Sequence, residues 1–122
     1  MASNPEVVLR YRDGKTRRAT LLATDTDREI FSIQGDDGKA IEVSFKELKA
    51  VFFPQHEADD SMEPAVGSQL SVEFADGEVI RGVAQYNPER NGFYLFPLDR
   101  SKNDRIFVVN SAIMSIEVEK LQ

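Results

Sequence analysis

The sequence predicts an all-β protein made of two small five-stranded Sm-like or SH3-like barrels in tandem, packed against each other. Three observations lead to this prediction: an internal repeat, an alternation of apolar and polar residues, and an Asp-Gly pair in the same place in each half. The order of apolar positions matches in three separate blocks, which are residues 9–14 with 72–77, 30–33 with 92–95, and 41–51 with 106–116.

The first half begins with Val7, Leu9 and Tyr11 alternating with other residues, which is the period of a half-buried strand. Asp13-Gly14 then supplies residues that tolerate a positive φ and predicts a hairpin turn. Lys46-Glu47 is a polar step too short for a full helix and suits a single helical turn. We expect strands at about 7–12, 15–24, 29–34, 40–45 and 49–53.

The second half follows the same order, with Leu70, Val72 and Phe74 alternating before Asp76-Gly77. Asn110-Ser111 takes the place of the short helical turn. We expect strands at about 69–75, 78–86, 92–96, 105–110 and 113–119.

The predicted organisation is a first barrel at 6–54, an acidic linker at 55–66 and a second barrel at 67–120. Modules of about 50 residues bury too little surface to be stable alone. We therefore expect the two halves to pack together or to exchange an edge strand.

Composition limits the classes of function. The 122 residues carry a net charge of −6 and no cysteine, so disulfides and thiolate metal sites are excluded. No apolar run approaches the roughly 20 residues of a membrane helix, and the N-terminus lacks the pattern of a signal peptide. We expect a cytoplasmic protein that binds no membrane. The acidic total disfavours a general nucleic-acid binder.

The order strand, Asp-Gly turn, long strand with Gly82, two further strands, short turn and last strand resembles the Sm-like and SH3-like small barrels. Residues 86–97 followed by 105–110 also look like an uncharacterised bacterial domain. That domain recurs in signalling and motility-related proteins, sometimes beside PilZ domains. The resemblance implies a regulatory or adaptor role by analogy. Its Sm-like side implies nucleic-acid binding as an alternative, although the loop at 24–29 is acidic in this chain.

Residues for catalysis are sparse. His56 is the only histidine, and it lies among acidic residues of the linker, where a solvated side chain explains it better than a metal site. Asp36-Asp37-Gly38-Lys39 lacks the alternating ligands of a calcium loop and suits a β-turn. No phosphate-binding glycine loop or nucleophile motif is present. We expect no enzyme activity, no metal and no cofactor.

The first hairpin is the candidate binding site for a ligand or partner, through Arg10, Arg12, Lys15 and Arg17. If Asp13-Gly14 is a two-residue turn, Arg12 faces Lys15 and Arg10 faces Arg17 on the outward side of the hairpin. Two explanations stay open for this basic face. It binds an anionic ligand or acidic partner, or it is neutralised within the chain by residues such as Glu6, Glu73 and Glu78 or by the linker.

Two later segments, 93–98 and 106–109, are apolar at nearly every position. A strand with one solvated face should alternate. Either both faces are buried because the halves pack together, or Tyr94, Phe96, Phe107 and Val109 form an apolar interface for a partner or a second copy. Phe52 and Phe53 raise the same question.

The function expected from the sequence is a non-catalytic regulatory or adaptor protein that binds a protein partner or a small anionic ligand. The alternatives are an Sm-like nucleic-acid binder and a structural subunit that completes a partner's sheet. Self-association is compatible with the third alternative.

Overall fold

The computed structural model describes residues 5–54, 67–86, 89–98 and 103–118. Ten strands were expected from the sequence, and all ten are found within a few residues of their predicted bounds. In the first half they are β1 (Glu6–Tyr11), β2 (Thr16–Asp25), β3 (Ile30–Gln34), β4 (Ala40–Ser44) and β5 (Leu48–Pro54). In the second half they are β6 (Ser68–Phe74), β7 (Val79–Ala84), β8 (Gly92–Pro97), β9 (Asn103–Val109) and β10 (Ile113–Val118).

The two predicted single turns of helix are also present. They are 3-10 turns at Phe45–Glu47 and Asn110–Ala112, and each directly precedes the last strand of its half. The predicted linker at 55–66, which includes His56, lies outside the described residues.

All ten strands form one antiparallel sheet in the order β10-β6-β7-β8-β9-β5-β1-β2-β3-β4. Within each half, the first strand pairs with the second and the fifth, and the remaining strands follow as a meander. The halves meet where β5 pairs with β9. The sequence predicted an all-β protein of two small barrels packed against each other. The all-β class is confirmed, and the structure has one continuous antiparallel sheet that does not close, in which backbone hydrogen bonds between β5 and β9 join the halves.

The first hairpin turn is one residue longer than predicted. The Tyr11 amide donates to the Lys15 carbonyl, the Gly14 amide donates to the Tyr11 carbonyl, and Gly14 has a φ of 94°. These bonds define a three-residue loop with glycine in the left-handed region, at Arg12, Asp13 and Gly14. The second hairpin has the same loop, since the Phe74 amide donates to Glu78 and Gly77 has a φ of 90°.

The longer loop changes the register of β1 against β2. Arg10 lies opposite Thr16, and Arg17 lies opposite Leu9. The predicted opposition of Arg10 with Arg17, and of Arg12 with Lys15, is therefore wrong. Because directly opposite residues share a face of the sheet, Arg17 falls on the face of buried Leu9 rather than on the predicted basic face.

Strands β5 and β9 are buried on both faces, and they separate two hydrophobic cores. Val51 and Phe53 from β5 pack in the first core, with Phe107 and Val109 from β9. The alternate residues of both strands pack in the second core, namely Ala50, Phe52, Ile106 and Val108. Burial of both faces by packing of the halves therefore explains the continuous apolar run at 106–109 and the pair Phe52-Phe53.

Candidate functional site

The four residues of the predicted basic site do not converge on one point. Arg10 donates to Glu78 at 2.7 Å, and its guanidinium carbon lies 4.5 Å from the centroid of the Phe52 ring. Lys15 is exposed, with its ammonium 4.0 Å from the carboxylate of Asp13.

Arg12 points toward the chain's own backbone. Its guanidinium donates to the carbonyls of Leu48 at 2.9 Å and Phe45 at 3.1 Å, and to the Ser111 hydroxyl at 2.6 Å. Ser111 belongs to the second half, so Arg12 also links the two halves. These contacts give Arg12 a structural role that fits the second of the two explanations, neutralisation within the chain.

Lys49 is a charged residue of the junction that the sequence analysis did not single out. It is only 6% exposed, and its ammonium donates to Asp76 at 2.7 Å and to Glu78. The same ammonium lies 4.8 Å from the centroid of the Phe74 ring. In the sequence, Lys49 interrupts the apolar run from Leu48 to Phe53. A charge inside a buried strand needs an ionic partner within the fold, so this interruption is the signal that could have identified Lys49.

This cluster holds two carboxylates in the ionised form. The hydrogen bond from Lys49 lowers the pKa of Asp76 below its ordinary value, with a further bond from the backbone of Glu78. Partial burial favours protonation of Glu78, but hydrogen bonds from Lys49 and Arg10 outweigh this and lower its pKa too. The cluster therefore fastens the second hairpin to strands β1 and β5.

A cavity of about 440 Å³ lies between the two hairpin loops. Its walls include Arg10, Lys15 and Lys49, and also Asp76 and Glu78. Two of these three cations are already paired with the carboxylates in the same wall. The cavity therefore offers an incoming anion a mixed field in which attraction and repulsion largely offset each other.

The predicted apolar interface is available only in part. Phe107 and Val109 are buried in the first core, which fits the alternative that the two halves pack together. Tyr94 is partly exposed, with its ring packed edge-on against Phe53 and Phe107. Phe96 is half-buried.

The two outer edges of the sheet are the remaining candidate site. No described strand pairs with the outer edge of β4 or of β10. On β10, Met114 and Val118 are 69% and 58% exposed. Val118 lies opposite Leu70, which is buried in the second core, so Val118 is on the core face of the sheet. The second core is thus left open along β10.

The edge strands carry few of the features that prevent pairing with another chain. Edge strands are commonly protected by lysine, proline or inward-pointing charges. The sequence of β10 is Ile-Met-Ser-Ile-Glu-Val, with one charge and no proline. The sequence of β4 is Ala-Ile-Glu-Val-Ser, also with one charge. Both strands are chemically suited to accept a further strand.

Other kinds of site are not assembled in the described part of the chain. Across residues 5–54, 67–86, 89–98 and 103–118, no group of three histidine, cysteine, aspartate or glutamate side chains is placed to hold a metal ion. Over the same ranges, no helix has the length and apolar character needed to cross a membrane.

Comparison with known proteins places the chain in a family. Searches of curated proteins and of solved structures found no match. A family model described as a family of unknown function (DUF6982) matches residues 3–120. Because this match spans nearly the whole sequence, the chain belongs to that family.

Proposed function

We propose that this protein is a non-catalytic adaptor that binds a protein partner by adding a strand of that partner to an open edge of its sheet. The observation that carries the proposal is the exposure of Val118 on the core face of β10. A strand laid beside β10 would cover that side chain and satisfy the outward backbone groups of β10. In this proposal each half is a small Sm-like or SH3-like module, and the two modules share β5 and β9 as their common wall.

The backbone of β10 is oriented for this role. The Phe74 amide donates toward β7, so by alternation the backbone groups of Glu73 point toward β10. Glu73 pairs with Ser115, and the next residue, Ile116, therefore directs its amide and carbonyl to the open edge. Val118 does the same two residues later. These groups are the donors and acceptors that an added strand would use.

A regulatory role follows from this mode of binding together with the resemblance to domains of signalling and motility-related proteins. Strand addition uses backbone hydrogen bonds for affinity and adjacent side chains for specificity. The two sequence-based alternatives, a small anionic ligand and a nucleic acid, both need free cations. Arg10 and Arg12 are bound to groups of the chain itself, so no observation favours either alternative.

The experiment compares two variants of the full-length protein. Val118→Lys places a charge on the open edge, and Val79→Lys makes the same change at a 50% exposed valine on the internal strand β7. Proteins captured from the native cell by the wild type and by Val79→Lys, but lost with Val118→Lys, support the proposal. Hydrogen exchange of the purified complex should then show slowed exchange at Ile116 and Val118. A partner retained by Val118→Lys with unprotected β10 amides refutes it.

A further inference from the structure

The junction inside the chain shows which kind of strand pairs with which. The fifth strand of the first half, β5, pairs with the fourth strand of the second half, β9. The edges left open are those of β4 and β10, which are the fourth strand of the first half and the fifth strand of the second. The two edges of the sheet are therefore a fourth strand and a fifth strand, which are the same two kinds of strand that pair at its centre.

Strand β10 reproduces the pairing geometry of β5. In the first half, Tyr11 pairs with Leu48 and Arg10 with Ala50, so that Lys49 is the bulged residue. In the second half, Phe74 pairs with Ile113 and Glu73 with Ser115, so that Met114 is the bulged residue. Each bulge follows a 3-10 turn and lies beside the residue before the hairpin loop. A bulge bends and twists its strand, so β5 and β10 leave their partners in the same way.

Strand β4 matches β9 in the same manner. Phe31 pairs with Val43 in the first half, and Phe93 pairs with Val108 in the second. Both strands run directly into the 3-10 turn of their half.

We propose that the partner is a second copy of this chain, whose β4 pairs antiparallel with β10 as β9 pairs with β5. This inference rests on the proposed function, since it names the strand that the open edge binds. The central pairs Ala50–Val108, Phe52–Ile106 and Phe53–Arg105 set the register. By equivalence, the pairs between copies are Ser115–Val43, Glu117–Ile41 and Val118–Ala40.

The exposure of equivalent residues in β5 and β10 indicates which side chains a second copy would cover. Phe53, which β9 covers, is 4% exposed, while its equivalent Val118 is 58% exposed. Lys49 and its equivalent Met114 differ in the same way, at 6% and 69%. These differences are the apolar surface that pairing between copies removes from water.

The contact between copies is weaker than the junction inside the chain. Ser115 and Glu117 stand where the central junction has Ala50 and Phe52, and Glu42 stands where it has Phe107. Glu42 and Glu117 occupy adjacent register positions and thus opposite faces of the sheet, so the two carboxylates do not face each other. We therefore expect the pairing between copies to be reversible, whereas the apolar pairing of β5 with β9 is part of the folded chain.

Each copy carries one edge of each kind, so the contact is heterologous. Such contacts close into a ring when the rotation between copies allows it and otherwise extend into an open array. In either case the mass of the assembly depends on protein concentration.

A cysteine cross-link tests the register directly, because the natural chain contains no cysteine. The Tyr11 amide donates toward β2, so Val8 and its partner Phe52 direct their backbone groups at each other. Phe52–Ile106 is therefore a non-hydrogen-bonded pair, in which side chains lie closest. We expect a variant with Ile41→Cys and Glu117→Cys to form disulfide-linked multimers on oxidation. The control with Glu42→Cys and Glu117→Cys places the thiols on opposite faces and should remain unlinked.

Sedimentation equilibrium gives the second measurement. The wild type and Val79→Lys should show a mass of two chains or more that falls on dilution. Val118→Lys should weaken the association roughly tenfold or more, since lysine at an edge strand opposes pairing. A wild type that remains one chain at every concentration overturns the inference, as does equal cross-linking of both cysteine pairs. If the wild type is one chain and yet captures a partner that Val118→Lys loses, the proposed function stands and only the second copy is refuted.

Discussion

Replacing Lys49 with methionine removes the charge that fastens the second hairpin to the first half of the molecule. Methionine keeps most of the apolar stem and its contact with Phe74, so the change isolates the ammonium. The carboxylate of Asp76 is half exposed, so solvent screens its ion pair with Lys49 and that pair adds little to stability. The carboxylate of Glu78 is more buried, and a hydrogen bond to a charged group contributes about 1.5 kcal/mol there.

We therefore expect Lys49→Met to lower the free energy of unfolding by about 1.5 kcal/mol at neutral pH, mainly through the lost hydrogen bond to Glu78. The loss is not larger because Arg10 continues to bind Glu78 at 2.7 Å. Urea unfolding followed by circular dichroism measures the change, with the exposed Lys46→Met as the matched control. The control should lie within about 0.5 kcal/mol of the wild type.

A double-mutant cycle with Glu78→Gln separates the pair from the rest of the site. The coupling between Lys49→Met and Glu78→Gln should be about 1 kcal/mol or more, because the two groups are in contact. Equal stability of Lys49→Met and the wild type, or a coupling near zero, would show that the cluster does not hold the halves together.

Three further predictions follow from the same structure. The pKa of Glu78 is lowered from its ordinary value of 4.5 in the folded protein. Its contribution to stability is therefore present above that value and is lost as the pH falls through the lowered pKa, so urea midpoints should drop as the pH falls below 4.5, and should drop less in Lys49→Met. Phe107 lies on a strand of the second half but packs in the first core, so Phe107→Ala opens a cavity there and should lower the free energy of unfolding by about 3–5 kcal/mol. Near-UV and far-UV circular dichroism should still report a single transition, and separate unfolding of one half would contradict a core shared through β5 and β9. Gly77→Ala meets no neighbouring atom but requires a φ of 90°, so we expect a loss of about 1 kcal/mol in thermal unfolding, and an unchanged melting temperature would contradict the loop geometry.

Much of the secondary structure could be predicted because its causes are local. Alternation in residues such as Val7 and Leu9, and the positive φ tolerated by Gly14 and Gly77, depend on neighbours within a few positions. The length of the hairpin loop was the exception. Asp-Gly suits both a two-residue and a three-residue loop, and the difference of one residue moved Arg17 away from the basic face on which the candidate ligand site depended.

The ten strands and the two 3-10 turns could be predicted from the sequence, because hydrophobic period and turn chemistry act over short distances along the chain. The pairing of β5 with β9 became visible only in the folded chain, since a continuous apolar strand is equally suited to several partners. The same holds for Lys49, whose partners lie 27 and 29 residues away. The proposed function depends on the open edges of β4 and β10. These two strands are the edges because β5 and β9 pair with each other at the centre, and no described strand pairs beyond β4 or β10.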